Sequence, residues 1–299
     1  MGLTHFSILK ALNPNIKFTI IEPNRILRLI QSKNINALFL KSDLNIKDPF
    51  DISLITTPPI FHEKLLKACI DRGDNKIFIE KPFGGSTNTK FNQYYSDKNI
   101  FIGYVLRFNP CINWIKENIS SNEIKSIEAQ YLSNTIEHKP KGWRNSHYSG
   151  VLNEMGSHIL DLIQYLTGSK KLVVNSSTKK SIISDVDDIV DATLICEKNI
   201  KIALHLNWVK KNIRKPIFSL NIELKNKTKI FVDQQIIKMY NSDGSLIKKI
   251  SVTDIAQTVP YYLRGVDFTL QMMDLLNESK IISNYSQSMY INKIMKRII

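Results

Sequence analysis

The chain has 299 residues, of which 43% are hydrophobic and 23% charged, and its formal net charge is +14. This composition excludes a disordered chain, and no apolar run reaches the length of a membrane span. Three widely spaced cysteines (Cys69, Cys111, Cys196) suit neither a disulfide framework nor a metal site. The lysines are scattered and no nucleic-acid-binding motif occurs. The charge therefore reads as a solvated basic surface that favours small anionic ligands over nucleic acid. No signal-peptide pattern is present, and the expected location is the cytoplasm.

Met1-Gly2-Leu3-Thr4-His5 opens a helical pattern that runs to Leu12 and stops at Asn13-Pro14. Strands are expected at Lys17–Glu22, Ala37–Leu40, Asp51–Thr56, Lys76–Glu80 and Ile100–Tyr104. Helical patterns fall between them, from Arg25 behind an Asn24 cap and from Ile60 to Ile70. Strands that alternate with helices predict a parallel sheet with helical crossovers.

The pattern changes after Pro110. A helix is expected over Cys111–Asn118 and another over Asn153–Thr167, closed by Gly168. Around them lie eight strand-like runs: Ser126–Ser133, Leu172–Ile183, Ile189–Glu197, Ile200–Val209, Ile217–Leu224, Lys229–Val232, Ile236–Tyr240 and Leu246–Val252. With few helices between them they imply a large, mostly antiparallel sheet. A helix from Tyr262 to Asn277 and a short C-terminal one complete the chain.

Several residues have the chemistry of a redox site. Gly2 at the start of a helix and Glu22 at the end of the next strand have the spacing of the third glycine and ribose-binding carboxylate of a dinucleotide-binding unit. A carboxylate there repels a 2′-phosphate, which favours NAD over NADP. Thr57-Pro58-Pro59 with His62 follows a strand, at the sheet edge where ligands lie. Glu80-Lys81-Pro82 ends a buried strand, and Pro82 holds Lys81 extended. A lysine there can stabilise a developing alkoxide or share in proton transfer.

Glu154, His158 and Asp161 are spaced to share one stripe of a helix. His158 could accept a hydroxyl proton, with Glu154 orienting the ring. Trp143, Arg144 and Tyr148 suit contact with a sugar or phosphate. Arg107 and Asn109 leave the last parallel strand, where they could line a cleft or bridge two domains. No metal-ligand cluster is expected.

Taken in order and spacing, Thr57-Pro58-Pro59…His62, Phe78-Ile79-Glu80-Lys81-Pro82, Gly103-Tyr104-Val105-Leu106-Arg107-Phe108-Asn109-Pro110, Trp143-Arg144 and Gly150…Glu154…His158…Asp161 resemble the Gfo/Idh/MocA oxidoreductase family. The resemblance implies an α/β fold. A Rossmann-like dinucleotide-binding domain would span 1–108, and a substrate and oligomerisation domain with a large open sheet would span 109–299. The C-terminal helices would be free to pack back on the first domain. It implies NAD-dependent hydride transfer to or from a sugar or sugar nucleotide, catalysed by Lys81 and His158, in a homodimer or homotetramer.

Glu154 stands where the family usually carries aspartate. Met1 stands where the middle of the glycine loop would be, so a shortened start without the first strand is expected. A catalytically silent sugar-binding relative is the rival reading.

Overall fold

Strands buried between helices need crossover connections, and these connections make the first hundred residues parallel. The computed structural model describes residues 1–42, 46–83, 99–277 and 285–298. Helix α1 (Gly2–Leu12) leads into β1 (Thr19–Ile21). Helix α2 (Arg25–Asn34) starts where the Asn24 side chain accepts from the amides of Ile26 and Leu27. Strands β2 (Leu38–Leu40) and β3 (Ile52–Ile55) follow, then α3 (His62–Arg72), which closes on a left-handed Gly73. Strands β4 (Lys76–Ile79) and β5 (Ile100–Ile102) complete this half.

The parallel strands form two ladders, not the single sheet expected. One is β1–β2 and the other β3–β4–β5. Among the described residues no pairing joins β1 to β3. Helix α2 has no buried residue, and Ile26, Leu27, Leu29 and Ile30 are exposed.

The second half is built on one eight-stranded sheet. Helix α4 (Pro110–Asn118) is capped by the Asn109 side chain. It precedes β6 (Ile124–Leu132). A π turn over Leu152–Gly156 runs into α5 (Ser157–Thr167), which ends on a left-handed Gly168. Then come β7 (Leu172–Lys180), β8 (Ile189–Cys196), β9 (Lys201–Asn207) and β10 (Ile217–Leu224). Strands β11 (Lys229–Asp233), β12 (Ile236–Tyr240) and β13 (Leu246–Ser251) extend the sheet. Helices α6 (Val252–Ile255), α7 (Val266–Leu276) and α8 (Tyr285–Met295) finish the chain.

The strand order is β13-β12-β11-β10-β6-β9-β8-β7. All neighbours are antiparallel except β6 and β9. Alternate residues such as Ile127, Ala129, Leu204 and Leu220 join Ile159, Leu160 and Ile163 of α5 in the main core. The opposite face carries Glu128, Gln130, Asp191, Thr193, His205 and Asn221 around a shallow depression. Helix α7 returns to the first half, where Met272 and Leu275 pack with Ile8, Leu9 and Phe78. Lys76 Nζ donates to the Leu275 carbonyl at 3.1 Å. Among the described residues no helix is long and apolar enough to cross a membrane.

Candidate active site

Ile77, Phe78 and Ile79 of β4 are buried in the core, which fixes where the chain emerges as Glu80-Lys81-Pro82. From there Lys81 reaches across to the helix that starts near Gly150. Its Nζ donates to the backbone carbonyl of Glu154 at 2.8 Å. Burial lowers the Lys81 pKa from its ordinary value. The Glu154 and Glu80 carboxylates oppose this, and Arg144 adds to it.

The acceptor carbonyl lies in the π turn. There the Ser157 amide bonds to Leu152, five residues back. The wider turn breaks the four-residue stripe on which Glu154 and His158 were expected to pair. The Glu154 carboxylate turns the other way: it accepts from Ser149 Oγ at 2.7 Å and from Arg144 at 3.4 Å. The expected Glu154–His158 pair is therefore corrected, and Glu154 faces Lys81 and Arg144 instead.

His158 is buried beside the rings of Tyr104 and Tyr131, with centroids 6.2 and 6.4 Å away. Its Nδ1 is buried without a hydrogen-bond partner. Burial first, and then the Lys81 charge, hold its pKa well below the usual histidine value. The imidazole is neutral at physiological pH.

The residues expected at the nucleotide lie along the carboxyl ends of the parallel strands. Gly2 opens α1 so close to the end of β3 that a Cβ on it would lie 2.9 Å from Thr56 Oγ1. Glu22 follows β1 and takes the Asn24 amide on one oxygen at 2.8 Å. Thr57 and Pro58 follow β3. His62 does not face outward with them. It is fully buried, bonds the Thr57 carbonyl at 2.8 Å and stacks on Phe83, so it holds the Thr57-Pro58 turn from beneath. Burial lowers its pKa as well.

The residues expected to bind substrate divide into two groups. Trp143 and Arg144 share a short turn, with the guanidinium 5.0 Å from the indole, and Arg144 reaches Glu154. Tyr148 packs on His147. Arg107, Asp161 and Asn109 are turned inward: of the two expectations for Arg107, lining a cleft or bridging the two halves, its side chain takes the bridging arrangement. Arg107 and Asp161 bond each other through two contacts of 2.6 Å, both fully buried. Asn109 caps α4 and donates to the Gln234 carbonyl. These bonds commit both Asp161 oxygens and the Asn109 amide inside the protein.

Three participants were not foreseen. His5 bonds Glu80 at 2.6 Å. Asp187 accepts from the Leu152 amide at 2.7 Å and so fixes the start of the site helix. The carboxyl of Asp267, at the start of α7, is pushed up to about 6 by burial. His5 lies three residues after Gly2, a spacing that puts it one helical turn along, but its partner is 75 residues away. Among the described residues no group of three or more His, Cys, Asp or Glu side chains is placed to hold a metal ion.

Residues 118–225 match the family model described as the GFO/IDH/MocA C-terminal domain. Among solved structures, a levoglucosan dehydrogenase in complex with NADH and levoglucosan superimposes with a TM-score of 0.82 at 17% identity. The match covers 100% of this chain and 93% of the other. An oxidoreductase domain protein from Kribbella flavida gives 0.82 at 15% identity, with the same coverage. UDP-N-acetylglucosamine 3-dehydrogenase GnnA from Acidithiobacillus ferrooxidans gives 0.75 at 16%, again with 100% and 93% covered. Oxidoreductase cns1 from Cordyceps militaris is 27% identical over 143 residues. That segment is 44% of this chain and 18% of the relative, so the chain matches less than a fifth of the curated relative's length.

Proposed function

We propose that the chain is an NAD-dependent oxidoreductase acting on a hydroxyl or carbonyl of a sugar or sugar nucleotide. What supports this reading is that Lys81, at the end of a parallel strand, donates to the Glu154 carbonyl in the turn that leads into the helix of His158, and that its charge acts on the buried His158 ring. The similar structures support the cofactor and the substrate class: a levoglucosan dehydrogenase with NADH and levoglucosan, and a UDP-N-acetylglucosamine 3-dehydrogenase.

The residues present fit a dinucleotide. Gly2 lets the start of α1 approach Thr56 where a side chain would not fit. The Thr57-Pro58 turn is fixed from below by His62. Glu22 would take the ribose hydroxyls on its remaining oxygen and repel a 2′-phosphate. The nicotinamide supplies the acceptor or donor of the hydride.

The proton is handled by the protein. Burial lowers the Lys81 pKa from its ordinary value, which makes the amine easier to deprotonate and so better suited to exchange a proton. The same burial lowers the His158 pKa, here away from neutrality, and the ring remains uncharged. In this reading Lys81 exchanges the hydroxyl proton and His158 holds the substrate oxygen by a hydrogen bond. Arg144 and Trp143 would contact the sugar or its phosphate. Residues 1–108 would serve the cofactor and 109–299 the substrate. A second copy of the chain would cover the polar open face of the large sheet.

The test is to mix purified protein with NAD and a panel of sugars and UDP-sugars. A rise in absorbance at 340 nm with at least one of them is expected. No change with any of them, together with no heat of NAD binding, rejects the proposal.

A further inference from the structure

The shortest link between the two halves of the site runs through a residue outside the expected set. His5 Nε2 lies 2.6 Å from Glu80 Oε1. His5 is fully buried and Glu80 nearly so. The ring stands edge-on to Phe78, with centroids 5.1 Å apart, and cannot swing freely. His5 Nδ1 is buried without a hydrogen-bond partner. A bare acceptor is cheaper to bury than an unpaired N–H, so the proton belongs on Nε2 and is donated to Glu80.

The other carboxylate oxygen of Glu80 packs on Gly103. A Cβ there would lie 3.2 Å from Oε2. Glu80 is thus clamped on both sides, immediately before Lys81 in the chain. We propose that His5 is a positioning residue: by donating to Glu80 it fixes that carboxylate against Lys81, and so couples the start of α1 to the proton-handling lysine.

The groups around the lysine set the size of the effect. Lys81 faces Glu80 from its own segment, Glu154 from the π turn, Arg144 from the Trp143 turn and His158 from α5. Glu80 in turn faces His5 and His62. Of these, His5 is the one that bonds Glu80 at 2.6 Å. Without that donor the Glu80 carboxylate is free to turn away from Lys81, its attraction for the ammonium weakens, and the lysine titrates lower.

The inference rests on the proposed role of Lys81, but its test needs no substrate. Amine-reactive labelling of the Lys81 peptide is followed by mass spectrometry from neutral to alkaline pH, in wild type, H5L, H5Q and E80Q. The expected result is a labelling midpoint lower by about one pH unit in H5L and in E80Q. It should return towards wild type in H5Q, whose amide can still donate. The double variant H5L/E80Q should shift no further than E80Q alone. A folded H5L that labels as wild type does overturns the proposal. So does an E80Q with an unchanged midpoint, which keeps the test decisive if H5L does not fold. If no sugar is turned over, the redox reading falls while the labelling result stands by itself.

Discussion

The guanidinium of Arg107 and the carboxylate of Asp161 face each other through two 2.6 Å hydrogen bonds. The pair ties the exit of the last parallel strand to helix α5, which carries His158. Tyr165 lies against the guanidinium at 5.1 Å. Burial pushes the Asp161 carboxyl up to about 6, still below neutrality, so the pair is ionic at physiological pH.

Removing one partner leaves the other charged and unpaired in the core. Arg107→Leu or Asp161→Asn should therefore destabilise the protein by about 3–5 kcal/mol in urea denaturation. The double variant R107L/D161N should cost less than the sum of the two single losses. Additive costs would show that the two residues do not act as a pair.

The catalytic reading predicts an asymmetric response to substitution. Lys81→Met should lower kcat for sugar oxidation by about 10²–10⁴-fold and leave NAD affinity unchanged. Oxidation requires the neutral amine. Wild-type kcat should accordingly rise with pH through a midpoint below 10.5, the ordinary lysine value. A pH-independent kcat would assign the proton transfer elsewhere.

His158 carries a stability signature as well. Its folded pKa lies well below 6.5, the ordinary histidine value. Protonation therefore favours the unfolded chain: the histidine's contribution is complete above pH 6.5 and is lost as the pH falls. His158→Gln removes that dependence. Thermal or urea melts at falling pH should show wild type losing roughly 1 kcal/mol more than H158Q by one unit below 6.5. Parallel curves would mean that the imidazole is solvated.

Gly150 precedes the π turn with φ +106, and a Cβ there would lie 2.6 Å from Asp187 Oδ1. The same carboxylate caps the Leu152 amide. Gly150→Ala should cost about 1–3 kcal/mol in backbone strain. It should also lower kcat without changing NAD affinity, because it displaces the start of the site helix. Denaturation and steady-state kinetics on the same variant read both effects.

Cofactor choice should follow Glu22. Replacing it with Ser removes the charge that repels a 2′-phosphate, and the ratio of NAD to NADP efficiency should fall by tenfold or more, about 1.4 kcal/mol. An unchanged ratio would remove Glu22 from the ribose site.

The order of elements was legible from the hydrophobic pattern. Ile217–Leu224 and Ile236–Tyr240 fall where the alternation puts them, and Gly168 ends α5 as its position predicts. Single positions were less legible where two conformations share one pattern. Glu154 and His158 look like a helical pair, yet a π turn and an α turn have the same apolar residues, and the turn type sends Glu154 to Arg144. Arg107 and Asp161 are charged, and nothing local says that each meets the other inside the core. His62 was expected near a ligand because it follows the Thr57-Pro58-Pro59 segment at the sheet edge. Its burial depends on Phe83, which lies across from it in space. The split of the parallel strands into two ladders is a property of pairing between segments, which a period along one segment does not record.

The π turn also sets how this protein can tolerate change in length. Each residue advances a helix by about 100°. Losing one position between Gly150 and His158 would restore an α turn but swing the imidazole away from Lys81 and carry the Glu154 carbonyl off its ammonium. Spacing along that stretch is therefore as restricted as residue identity. The hairpin at Asn241–Gly244, on the far strands of the large sheet, can lengthen or shorten without consequence for the proton-handling groups.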